Sequence, residues 1–93
     1  MIGVLSFHLR IPGCNSLKEK RGQLKPLLHR LHREFNVSVA EMDLQDMWRE
    51  AVVCCGMIGN DSAHLQSALE KVRRWVEANW SEGDVRDTNI EIL

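Results

Sequence analysis

The chain has 93 residues, of which 44% are hydrophobic and 27% charged, with a formal net charge of −1. These proportions exclude a disordered or collagen-like polypeptide and leave room for one small core, so a single domain over residues 1–93 is expected. The longest apolar runs, Met1 to Leu5 and Ala51 to Ile58, are too short to cross a bilayer, and no secretory leader pattern opens the chain, so a cytoplasmic protein is expected.

Residues 1–11 alternate, with Leu5, Phe7, Leu9 and Ile11 on one face and Val4, Ser6, His8 and Arg10 on the other, the pattern of a half-buried strand that Pro12 and Gly13 end. Ser16 and Glu19 then have the spacing of a capping box and start a helix. Leu24, Leu27, Leu28, Leu31 and Phe35 give that helix one apolar face, and Pro26, which removes the amide that would bond Gly22, predicts a kink. Val37 to Glu41 reads as a short strand and Trp48 to Ile58 as a longer one, joined by an acidic hairpin loop. Gly59, Asn60 and Asp61 precede a second amphipathic helix marked by Leu65, Leu69, Val72 and Val76, and Asp87 to Leu93 reads as the last strand.

The order βαββαβ fits an α+β, ferredoxin-like domain: a four-stranded antiparallel sheet with both helices on one face. Leu5, Phe7, Leu9, Leu24, Leu28, Leu31, Val39, Val53, Leu69, Val72 and Ile90 are the expected core. The open sheet face would carry Ile2, Val4, Ser6, His8, Val52, Cys54 and Gly56, drier than an ordinary solvated surface, which suggests a homo-oligomer formed through it. Three cysteines, an odd number without metal-ligand spacing, argue against a disulfide framework, and adjacent Cys54 and Cys55 should point to opposite faces.

Charge is distributed unevenly. Through Arg33 there are seven basic residues against Glu19 alone, a net of +6, whereas the remaining 60 residues carry five basic and twelve acidic side chains, a net of −7. Lys18, Lys20 and Arg21 crowd the first two turns of the helix, where the macrodipole already supplies positive potential and cations are mildly unfavourable. With Lys25 and Arg33 they form the candidate partner-binding set, suited to phosphates or another acidic partner. His29 and His32 share this stripe.

Ser16 to Arg21, Phe35 to Glu41, the Asp46 and Trp48 pair, and Gly59 to Asp61 together resemble the YlxP-like family of small bacterial proteins, over nearly the whole chain. The resemblance implies a ferredoxin-like fold in a bacterial cytoplasmic protein. The family's genes often lie near those for translation-initiation and ribosome-maturation factors, which points toward RNA or ribosome association, and the family supplies no catalytic residues to carry over.

No catalytic residue, metal site, cofactor or small-molecule substrate is expected. The loop from Pro12 to Asn15 has one glycine, too few for the phosphate cradle of the acylphosphatases that share this architecture, and no nucleophile and base pair is evident. Apart from the His8 imidazole, aromatic side chains are missing from the open faces of the first and third strands, so any RNA contact should use the helix. Trp48 and Trp75 read as packing residues at the margins of the core, and Trp80 as either packed or an interface anchor. Two functions follow as expectations: a non-enzymatic module that binds RNA or a ribosome-associated partner through the first helix, or a homo-oligomeric structural or regulatory protein making protein contacts only.

Overall fold

Strict alternation in the first strand decides which side of the sheet is buried. In the computed structural model, which describes residues 1–93, six elements follow in the order β1 (Ile2–Arg10), α1 (Leu17–Glu34), β2 (Ser38–Asp43), β3 (Glu50–Ile58), α2 (Ser62–Asn79) and β4 (Val85–Ile92). The strands form one antiparallel sheet in the order β2-β3-β1-β4, so β1 and β3 are central. Leu5, Phe7 and Leu9 of β1 and Ala51, Val53 and Cys55 of β3 are buried in a single cluster with Leu24, Leu27 and Leu31 of α1 and Leu69, Val72 and Val76 of α2. Both helices therefore cover the same face, and the ferredoxin-like arrangement expected from the element order is the one observed.

Local signals account for the element ends. The Ser16 hydroxyl accepts from the Glu19 amide at 3.1 Å, as the capping spacing requires, but the Glu19 carboxylate reaches one residue further out, to the Asn15 amide at 2.9 Å. Asp61 caps α2 by accepting from the amides of Ala63 and His64. Helix α1 runs unbroken through Pro26, whose ring, like Gly22, lies on the exposed side, where water can take the carbonyl that proline leaves without a donor.

Four expectations need correction. Leu28, Val39 and Ile90 are half-buried residues packed against the core rather than inside it. Strand β3 begins at Glu50, opposite Arg10 at the end of the β1 ladder, which leaves Trp48 in the loop and half exposed instead of packed. Strand β4 begins at Val85, two residues early, because a register shift opposite Ser6 and His8 absorbs Asp87 in the left-handed region at φ 52°. The short strand β2 extends to Asp43 through a similar irregularity. Trp80 is packed, only 8% exposed.

Candidate functional site

At 100° per residue, Lys18, Arg21, Lys25, His29, His32 and Arg33 occupy one arc of α1, and all six are exposed. None of the four permanent cations among them, Lys18, Arg21, Lys25 and Arg33, forms an ion pair with any carboxylate of the chain. The two acidic residues of α1, Glu19 and Glu34, lie off this arc. From Lys18 to Arg33 the stripe extends about 22 Å at 1.5 Å per residue. Its charge is presented by a rigid element and is left unneutralised.

The structure removes Lys20 from that set. Its side chain is 1% exposed, and its ammonium donates to the Leu44 carbonyl at 2.8 Å and the Met47 carbonyl at 2.7 Å while pairing with the Glu41 carboxylate at 2.7 Å. All three proton sites of the ammonium are thereby turned toward oxygen, and none is free for a partner. Position 20 falls at the same angle of the helix as Leu24, Leu27 and Leu31, with spacings of four, seven and eleven. That signal is present in the sequence, but it is hidden when Lys20 is grouped with its charged neighbours. Arg30 is also engaged: it stacks over the Trp75 ring at 4.8 Å and donates to the Asn79 side-chain oxygen at 3.1 Å, while Trp75 meets Phe35 edge to face.

The loop between β2 and β3 is held to the start of α1 from both sides. Lys20 binds the carbonyls of Leu44 and Met47, and Arg49 donates through Nε to the Cys14 carbonyl at 2.9 Å and through Nη2 to the Asn15 side-chain oxygen at 3.4 Å. A backbone bond from the Ile11 amide to the Arg49 carbonyl at 2.9 Å completes the attachment. Leu44 takes a left-handed conformation, φ 61°, and Asp43 caps its amide. Between these ties Met47 and Trp48 stay exposed at 48% and 51%.

On the open sheet face the His8 imidazole lies between two carboxylates, Nε2 at 3.1 Å from Glu50 and Nδ1 at 3.6 Å from Asp87. Its two nitrogens point to opposite sides, so His8, Glu50 and Asp87 do not converge on one metal position, and Nε2 is buried without a hydrogen-bond partner. Of the thiols, Cys14 and Cys55 are buried and Cys54 lies on the open face. Burial pushes Cys55 up to about 12, with the neighbouring Cys54 adding to the rise, and burial also raises Cys54. Neither has the thiolate character of a reactive cysteine.

The fold and these residues define a small ferredoxin-like α+β domain with a basic helix, and no helix in it is long and apolar enough to cross a membrane. The chain belongs to the family described as Protein of unknown function (DUF503), whose model matches residues 2–90. It is 31% identical over 78 residues to Uncharacterized protein YlxP of Bacillus subtilis (strain 168), covering 84% of this chain and 85% of that protein.

Proposed function

We propose that this chain is a non-enzymatic cytoplasmic module that binds RNA, free or within a ribosomal particle, through the exposed stripe of α1. The observation that carries the reading is the set Lys18, Arg21, Lys25 and Arg33, exposed on one rigid arc with no carboxylate partner. Such an arrangement is poorly explained by stability, since the first two cations oppose the helix dipole, whereas phosphates neutralised along it would release counterions and yield free energy. The experiment is ultraviolet crosslinking in bacterial cells. The wild-type protein should carry covalently attached RNA, and a variant with all four cations changed to Ala should carry little. Absence of crosslinked RNA on the wild type would overturn the reading.

A second reading has its own observation. The open sheet face places half-buried Val4, Val52 and Cys54 beside Gly56, with Ile2 and Ile58 47% and 83% exposed at one end. Self-association through this face would cover them. Val4→Lys should then shift the protein to monomer in light scattering at high micromolar concentration with its thermal unfolding cooperative. A wild-type monomer at that concentration would remove this reading.

A further inference from the structure

We propose that Trp48 is a base-stacking platform, so that the RNA taken by this protein is unpaired and places one base on that ring while its phosphates follow α1; this rests on the RNA reading of the basic stripe. Recognition of single strands combines cations that track the backbone with an aromatic face on which a base stacks. The sheet does not supply that face: the one ring on its open side is the His8 imidazole, which lies between the Glu50 and Asp87 carboxylates. The loop does. Of the three tryptophans only Trp48 is exposed: Trp80 is 8% exposed and Trp75 packs against Phe35 and Arg30.

Position and rigidity distinguish Trp48 from an incidental surface aromatic. The residue before it, Met47, is held by its carbonyl to Lys20, and the residue after it, Arg49, is held to Cys14 and Asn15, directly ahead of the Ser16 cap. Trp48 is thus fixed near the start of α1, the end at which Lys18 and Arg21 begin the basic stripe; the loop meets the helix on the flank of Lys20, so a strand following the stripe turns around the helix start, past Arg49, to reach the ring. Ordering the loop is already accomplished in the free protein, which lowers the entropic cost of binding. Together with Asp46, Met47 and Arg49 the ring lines an open hollow of about 340 Å³. Asp46 makes no ion pair there, and as an acceptor it suits the amino group of a stacked base, while Arg49 offers its remaining guanidinium donors to a phosphate.

A protein contact through Met47 and Trp48 is the competing occupant, and the test separates the two. An unstructured RNA of about 12 nucleotides, a length within the range of single-strand sites, and a duplex of the same sequence are titrated into wild-type protein, Trp48→Ala and Trp48→Phe. The expected result is quenching of tryptophan emission by the single strand in the wild type, and a loss of single-strand affinity of about 5- to 100-fold in Trp48→Ala. Trp48→Phe should retain most of the affinity, duplex binding should be unaltered, and the salt slope and thermal midpoint of Trp48→Ala should match the wild type. If the wild type binds RNA in a salt-dependent manner and Trp48→Ala binds the single strand equally well, the stacking proposal is overturned while the basic-helix reading stands. Equal losses for single strand and duplex would also overturn it. If the wild type binds neither RNA, both readings fall and the exposed ring is left to a protein partner.

Discussion

Changing Lys20 to Met should separate a buried structural lysine from its exposed neighbours more sharply than any other substitution in this chain. Methionine keeps the length of the stem and its contacts with the α1 core face but removes the charge. Three oxygens then lose their partner: the carbonyls of Leu44 and Met47 and the Glu41 carboxylate, whose side chain is 20% exposed. Leaving one partner of a buried ion pair uncompensated costs about 3–5 kcal/mol, although partial access of water to Glu41 favours the lower end. A 93-residue domain has a total stability of roughly 5–14 kcal/mol at the usual 0.05–0.15 kcal/mol per residue, so the loss is a large fraction of it. In urea titration at an m value of about 1.5 kcal/mol/M, the midpoint should fall by roughly 2–3 M. Lys18→Met, at an exposed unpaired position, should change stability by no more than about 0.5 kcal/mol. Adding Glu41→Leu to Lys20→Met removes the orphaned charge and should recover part of the loss, a coupling of about 1–3 kcal/mol. If Lys20→Met and Lys18→Met were equally mild, the buried tie between α1 and the β2–β3 loop would be refuted.

Glycine substitutions should show opposite signs at two sites. A Cβ on Gly83 would overlap the Arg10 carbonyl oxygen and lie 2.9 Å from Pro12 Cδ, so Gly83→Ala should destabilise by about 3 kcal/mol or more, whereas Gly22→Ala meets nothing within 4 Å and should stabilise α1 by about 0.5–1 kcal/mol; thermal unfolding of both variants checks the pair. Thiol titration of the native protein should label Cys54 slowly and reach Cys14 and Cys55 only on unfolding. Because Cys55 is raised from 9.0 to about 12 in the folded state, its contribution to stability should be complete below pH 9 and decline as pH rises toward 12, where the unfolded thiol ionises first. A Cys55→Ala variant should lack that part of the alkaline decline.

The core was readable because its signals are local and periodic. Alternation in β1, the helical spacing of the leucines in α1 and of Leu65 to Val76 in α2, and the two caps each point to the same fold, and the structure departs from these patterns mainly at strand ends and at half-buried margins such as Leu28 and Ile90. The site was less readable because its geometry depends on contacts across long separations. Lys20 meets carbonyls 24 and 27 residues away, and Arg49 reaches back 35 residues to Cys14. No sequence pattern announces those bonds, and without them the loop and Trp48 read as the start of a strand. The spacing of Lys20 with Leu24, Leu27 and Leu31 did carry the information that this cation faces inward. The position of His8 between Glu50 and Asp87 likewise depends on the irregular pairing of β4, which alternation alone does not encode.

Salt-dependent RNA affinity gives the most direct test of function. Binding of an unstructured RNA should weaken linearly in the logarithm of salt concentration, with a slope of about −0.7 for each phosphate neutralised, and a Lys18→Ala, Arg21→Ala, Lys25→Ala, Arg33→Ala variant should fold normally and show a slope shallower by up to about 3. Identical affinity and identical slope for the two proteins, or no RNA binding by the wild type, would show that the exposed face of α1 is a solvated surface and that this protein acts through other contacts.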